Sequence, residues 1–285
     1  MGIFVKINRL FVLPVPPFYR LLPHPSLRGV IDSYWVIRQK TDPVGVYPML
    51  PMGYPFLEFS LNENQLLLHR GQQTEPFRHI AIGLTGKPLY FQNTGFISSV
   101  LIRLHPWGLA RLFAGSGELS ASCNAGLIFS DRLEYLIRDL SADQEQVHYQ
   151  ELLDRFFRRF LRQREVALDA RIPIAIRRIL QHKGNLSISD LGEQLFLSQR
   201  RLEQLFKAHL GLTPKAYADI ARFQSALAAT GNYRNLTELA LDAGYYDQSH
   251  FIRHFKKYAG VPPSEILRPD GTKPEKISNL YNPAF

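Results

Sequence analysis

The feature that most constrains this chain is a segment that occurs twice. Residues 191–214 read LGEQLFLSQRRLEQLFKAHLGLTP and residues 239–263 read LALDAGYYDQSHFIRHFKKYAGVPP. Leu191 aligns with Leu239 at an offset of 48. Ser198 aligns with Asp247, Leu202 with Phe251, Phe206 with Phe255, Lys207 with Lys256, Gly211 with Gly260 and Pro214 with Pro263, all at 49. The second copy therefore carries one extra residue in its turn. Self-similarity at a fixed spacing means one supersecondary unit used twice.

Each copy has the physical marks of a helix-turn-helix. Ser187 predicts a helix N-cap, with Asp190 three residues on to complete a capping box. Leu191 and Leu195 give that helix an apolar face. After a short turn, Ser198 in one copy and Asp247 in the other are good N-caps for a second helix. That helix would bury Leu202, Leu205 and Phe206, or Phe251, Phe255 and Tyr258. Gly211 and Gly260 are placed to end it in the left-handed conformation. Between the copies, residues 213–230 predict one long helix, with Pro214 tolerated in its first turn and Tyr217, Ile220, Phe223 and Leu227 on one stripe.

The polar faces left over carry the functional signal. Gln199, Arg200, Arg201 and Gln204 of the first recognition helix, about 199–210, are not needed for a core. In the second, about 248–259, the free residues are Gln248, Ser249, His250, Arg253 and Lys256. Arg and Gln carry paired donors and acceptors that match guanine and adenine edges in the major groove. First-turn placement is how a recognition helix enters that groove. Lys207, Lys256 and Lys257 are suited to phosphate contacts, which add salt-dependent affinity. For any single residue, a face that only meets water is an equally good account. For two aligned units with polar tips and apolar backs, a shared purpose is the better one.

Composition localises the charge. The 285 residues carry 34 Lys and Arg against 25 Asp and Glu, a net +9. Residues 1–154 are neutral, 155–165 contribute +4 and 166–285 contribute +5. Residues 23–121 are rich in Pro, Gly and aromatics, with β-prone runs at 33–38, 56–61, 65–69, 79–84 and 98–104. Phe56, Glu58 and Ser60 alternate with Leu57, Phe59 and Leu61, the period-2 pattern of a half-buried strand. A small sandwich or barrel is expected there. Residues 127–163 turn helical: Leu133, Leu136, Ile137 and Leu140 share one face, and Leu152, Leu153, Phe156, Phe157 and Phe160 another. Residues 162–170 are a linker or a helix continuation. The second helix also carries Arg155, Arg158, Arg159, Arg162 and Arg164. A solvated face is the plainer reading of those arginines; contact with DNA phosphate or a partner subunit is the other.

The single cysteine, Cys123, excludes an internal disulfide and a multi-cysteine zinc site, and fits a reducing compartment. No apolar window reaches the ~18 residues of a membrane span. Pro14, Pro16 and Pro17 break the short apolar run near the start, so no signal peptide is expected there. A cytoplasmic protein without membrane contact is expected.

These residues resemble the AraC/XylS family of bacterial transcription regulators. The carriers are Ser198-x-Arg200-x-Leu202-x-x-Leu205-Phe206-Lys207, Leu212-Thr213-Pro214-Lys215 and Ile220-Ala221-Arg222-Phe223-Gln224-x-Ala226-Leu227. In the second half they are Leu239-Ala240, Gly244-Tyr245-x-Asp247-Gln248-Ser249-His250-Phe251-x-Arg253-x-Phe255-Lys256, Gly260 and Pro263-Ser264. The resemblance covers roughly residues 172–268. It implies a domain of about seven helices whose two helix-turn-helix units enter successive major grooves. Arg200 and Gln204, then Gln248 and Arg253, sit where the family reads bases. Two departures stand out: Gly192 replaces the usual alanine, and Phe196 stands where the first turn often has glycine. The N-terminal half resembles the sensor domain that accompanies this group, through Leu27-x-x-x-Ile31-x-x-Tyr34-Trp35, Gly83-Leu84-Thr85-Gly86 and Arg103-Leu104-x-Pro106-x-Gly108-Leu109-Ala110-x-Leu112. The family plan implies that such a domain binds an effector, dimerises, or both.

An enzyme needs a site, and none is evident. His69, His79 and His105 lack metal-ligand spacing, so a metal-dependent β-barrel enzyme fused to a DNA-binding module is the weakest alternative. Trp35, Tyr54 and Trp107 could line an apolar pocket, although any barrel core needs such filling. Cys123 has no neighbouring base to activate it. The expected architecture is α+β in two domains. Residues 1–165 form a β-rich barrel or sandwich with C-terminal helices, for effector binding or dimerisation. Residues 166–270 form the all-α DNA-binding domain, and 271–285 a tail. The expected function is a sequence-specific transcription regulator with no metal or cofactor. Its expected partners are double-stranded DNA, RNA polymerase, a small-molecule effector and a second copy of itself. The alternative is a nucleoid-type or adaptor protein that binds DNA without sequence preference.

Overall fold

Runs of three to ten residues, most of them apolar, form ten antiparallel strands among the described residues. The structure, a computed structural model, describes residues 19–40, 46–63, 66–70, 73–93, 96–113, 122–143, 148–162, 167–229, 233 and 235–266. The strands are β1 (Tyr19–Leu21), β2 (Ile31–Lys40), β3 (Val46–Met49), β4 (Phe56–Ser60), β5 (Leu66–Arg70), β6 (Gln73–Phe77), β7 (His79–Ile82), β8 (Leu89–Asn93), β9 (Phe96–Leu104) and β10 (Ser122–Asn124). They form a six-stranded sheet in the order β1-β2-β9-β4-β7-β10 and a four-stranded sheet in the order β3-β8-β5-β6. The β-rich region is therefore a sandwich. It starts before residue 23 and ends after 121, because β1 pairs with β2 and β10 with β7.

The six-stranded sheet is covered on both faces. Trp35, Phe56, Ile80 and Leu101 face the smaller sheet, packed with Leu68, Phe77 and Phe91. Tyr34, Leu57, Phe59, Val100 and Ile102 face the opposite way, onto two helices, α3 (Asp131–Ala142) and α4 (Tyr149–Leu161). This corrects the half-buried reading of β4. Phe56, Leu57, Glu58 and Phe59 are all buried, because β4 is a central strand lying between β9 and β7. Its alternation separates two cores rather than core from water. Two short helices, α1 (Gly108–Leu112) and α2 (Gly126–Phe129), lie on either side of β10 in the chain. Asp154 anchors α4 by accepting hydrogen bonds from the Tyr34 hydroxyl at 2.9 Å and the His24 backbone N–H at 3.0 Å.

Seven helices follow: α5 (Arg171–Gln181), α6 (Ile188–Gln194), α7 (Gln199–Leu210), α8 (Pro214–Ala229), α9 (Leu236–Asp242), α10 (Gln248–Ala259) and α11 (Pro263–Ile266). Leu191, Leu202, Phe206 and Tyr217 share one core with Ile172 and Ile176; Phe223, Leu239, Phe251, Phe255 and Tyr258 share another. Helix α8 supplies residues to both, so it is the common spine of the two units. Gly184 lets α5 close against it. Its φ is +75°, and an added Cβ would lie 2.0 Å from the Ala218 carbonyl oxygen. No helix among the described residues is long and apolar enough to cross a membrane.

The two halves are tied together by buried groups. Leu50 inserts into the core of the second helix-turn-helix unit, with Phe223, Phe251 and Phe255. Leu84 inserts into that of the first, with Leu202, Phe206 and Tyr217. The buried Tyr217 hydroxyl donates to the Gly53 carbonyl at 3.0 Å, and the buried Gln224 amide donates to that of Pro51. Sequence patterning gave no warning of these four contacts.

Candidate nucleic-acid interface

Both recognition helices start and stop as their chemistry dictates. The Ser198 hydroxyl accepts from the Arg201 backbone N–H, and the Asp247 carboxylate accepts from that of His250. These caps satisfy donors that the first turn leaves without partners. Gly211 at φ +73° and Gly260 at +79° end the helices in the left-handed conformation. One cap differs from expectation. Ser187 accepts from the Asp190 N–H, but the Asp190 carboxylate takes the Ser187 hydroxyl proton at 2.9 Å rather than completing a backbone capping box.

The structure places the predicted side chains as one pattern on each helix. Ser198, Gln199, Arg200, Arg201, Gln204 and Lys207 are exposed on or before α7, opposite the buried Leu202, Leu205 and Phe206. Gln248, Ser249, Arg253, Lys256 and Lys257 are exposed on α10, opposite Phe251, Phe255 and Tyr258. Some are braced: the Gln199 amide donates to Glu203 at 3.2 Å, and the Thr237 hydroxyl donates to the Gln248 side-chain oxygen at 2.9 Å. His250 is half-buried, its ring edge-on to Tyr245 at 5.3 Å, so it differs from the others. The Lys257 ammonium lies 5.0 Å from the centre of the Tyr258 ring.

A polar cluster behind α10 joins it to the spine. Asp219 on α8 holds Lys215 at 3.0 Å, and its carboxylate is 3.8 Å from His254, too far for a hydrogen bond. Burial pushes the Asp219 carboxyl up, but His254 and Lys215 beside it outweigh that and hold it at about 2. Burial pushes the His254 imidazole down, against the pull of Asp219. The Tyr245 hydroxyl is 2.8 Å from Nδ1 of His254. Sequence reasoning missed this cluster, because its members lie on three separate segments.

The turns differ between the units. Gly244 takes φ +76° in the second; Phe196 takes +53° in the first and is 95% exposed. Gly192 has a reason of its own: an added Cβ would sit 2.9 Å from the Leu197 carbonyl oxygen. It admits the turn rather than merely weakening the helix.

The N-terminal candidates do not converge. His79 is buried, His105 stacks on Trp107 at 4.9 Å and contacts the Arg28 carbonyl, and Nδ1 of His69 is 3.1 Å from the Thr74 hydroxyl. No group of three metal-ligating side chains occurs among the described residues. Trp35 and Tyr54 share the sandwich core, but Trp107 packs instead against the core of the first helix-turn-helix unit. Its position after β9 carries it to the domain junction. Cys123 lies on β10, paired in register with Ala81. Residues 1–18 and Arg164 lie outside the described residues.

Two recognition-type helices on a shared spine, fronted by a β-sandwich, define a double helix-turn-helix protein. Residues 191–269 match the family model described as a helix-turn-helix domain, and residues 19–120 match that of a domain of unknown function (DUF6597). The helical domain is of the AraC/XylS type. It is 36% identical over 90 residues to the XylDLEGF operon transcriptional activator of Pseudomonas putida, covering 30% of this chain and 28% of that protein. It is 29% identical over 187 residues to the arabinose operon regulatory protein of Escherichia coli, covering 63% and 57%. The chain thus spans under a third of the first relative's length. The solved structure of ToxT from Vibrio cholerae is similar at a TM-score of 0.51 and 13% identity, over 82% of this chain and 97% of that one, which shows a shared two-domain fold.

Proposed function

We propose that this protein is a sequence-specific DNA-binding transcription regulator. It places α7 and α10 in successive major grooves and is controlled through its N-terminal sandwich. The observation that carries this is the matched pair of capped helices, each with Arg and Gln exposed in its first turns and an apolar back on one common spine. Arg200, Gln204, Gln248 and Arg253 would read base edges, flanked by Gln199, Arg201, Ser198, Ser249 and His250; Lys207, Lys256 and Lys257 would bind phosphates. The insertion of Leu50 and Leu84 into both units supports control by the sandwich, because anything that moves the loops around them moves the recognition helices. A small-molecule effector, a homodimer through the sandwich and contact with RNA polymerase fit the same plan, as does a cytoplasmic location. The reading includes no catalytic step.

Footprinting of the DNA flanking the protein's own gene tests this at physiological salt. Protection of discrete sites is expected, with affinity about 10³-fold or more above random duplex. A ratio near one would replace this reading with a non-specific nucleoid-type or adaptor protein.

A further inference from the structure

The arginines of α4 lie on its solvent side, with Arg155, Arg159 and Arg162 exposed and Arg158 half-buried, and they share one open hollow. Arg155, Arg158, Arg159 and Arg162 line one cavity of about 780 Å³, together with His24, Gln150, Glu151 and Asp154. That size suits a small organic molecule. The two carboxylates on its wall are already engaged. Glu151 holds Arg155 at 2.6 Å, and Asp154 accepts from the Tyr34 hydroxyl and the His24 backbone N–H. Among the described residues, Arg158, Arg159 and Arg162 have no carboxylate partner. The four cations also stand three and four residues apart on one helix, where like charges repel. His24 accepts the Ser26 N–H at Nδ1, which makes Nε2 its proton-bearing nitrogen.

We infer that this cavity is a binding site for a small polyanion, a phosphate- or carboxylate-bearing metabolite with about three negative charges. Planar guanidinium forks suit both oxyanions, and a bound polyanion relieves the mutual repulsion of the arginines. The hollow is open to solvent and of a size for a small ligand, so a duplex-binding measurement is what separates a small anion from a DNA backbone. The site lies outside the core between the two sheets, and it does not depend on the DNA-binding reading.

Isothermal titration of the full chain with inorganic tripolyphosphate and with citrate tests it and separates the two chemistries. One-to-one saturable binding of at least one of them is expected. R158Q/R159Q should weaken it about tenfold or more, because each charge-assisted hydrogen bond is among the stronger kinds. R158K/R159K should give an intermediate loss, since the charge stays and the fork goes. R177Q/K183Q, at two exposed cations outside both the α4 site and the recognition helices, should leave it unchanged, and a thermal midpoint of R158Q/R159Q no lower than the parent's would show an intact fold. Four results would overturn the inference. Neither anion saturates, which includes an adventitious ion only; R158Q/R159Q binds as well as the parent; R177Q/K183Q loses as much; or R158Q/R159Q instead lowers duplex affinity with a shallower salt dependence, which would make α4 a DNA-backbone contact.

Discussion

Phe196 holds a left-handed backbone at φ +53° while its ring is almost wholly in water. A Cβ-bearing residue pays for that conformation, and this ring recovers nothing by burial. Phe196→Gly should therefore stabilise the chain by about 0.5–1 kcal/mol, raising its thermal midpoint. A lower midpoint would show that the ring makes a contact in the folded state. His79 is the second residue with a measurable consequence. Burial, and then Arg78, hold its imidazole down at about 4. Glu134 is 4.0 Å away and would pull the other way, but it is two-thirds exposed, so solvent screens it and burial wins. With the folded value below the ordinary 6.5, the unfolded chain binds the extra proton between pH 6.5 and 4. Stability from this site is complete above pH 6.5 and falls as pH drops towards 4, by about 1–3 kcal/mol. Denaturant midpoints across that window should flatten in His79→Phe; an unchanged slope would assign the loss elsewhere.

The helical elements were legible because local chemistry over-determines them. Ser198 and Asp247 start α7 and α10, Gly211 and Gly260 stop them, and one apolar stripe sets which face is left exposed. The same locality separates base-reading from phosphate-binding positions. Arg253→Ala should cost about 1–3 kcal/mol on the preferred operator and relax preference at one base position. Lys256→Ala should weaken all sequences alike and reduce the salt slope by about one. An equal loss for Arg253→Ala on every sequence would move it to the phosphate set. The strands were legible only where runs were long and apolar. β1, β3, β6, β8 and β10 were missed: β6 is polar, Pro48 interrupts β3, and all are edge or second-sheet strands with weak patterning. β4 shows the complementary error. Period-2 alternation cannot tell a water-facing side from a second core.

At the scale of the whole molecule, the decisive contacts are those of the sandwich with both helix-turn-helix units. Tyr217 and Gln224 face carbonyls of Gly53 and Pro51 more than 160 residues earlier in the chain. Tyr217→Phe would leave the buried Gly53 carbonyl without its donor, at about 1–3 kcal/mol. Trp35 sits in the sandwich core while Trp107 packs on the first helix-turn-helix unit, so on a Trp107→Phe background fluorescence reports the sandwich, and far-UV circular dichroism is dominated by the helices. The parent chain should unfold in coincident transitions by the two probes, and Tyr217→Phe should separate them. Coincident unfolding of the variant would mean that Leu50 and Leu84 alone suffice to couple the halves.

The sequence by itself determined the repeat, the caps and turns of α7 and α10, and which of their side chains are exposed. Helices are built from contacts three and four residues apart, and a short window contains those contacts. Only the tertiary structure decided the order of the strands, the double burial of β4, the seating of Leu50 and Leu84 in the other half's cores, and the placing of His24 beside the arginines of α4. Those features depend on pairings between residues tens to hundreds apart, which no local periodicity encodes. The +4 charge of residues 155–165 belongs to the sequence; that Arg155, Arg158, Arg159 and Arg162 share a hollow with His24 is decided by Asp154, which accepts that histidine's backbone N–H.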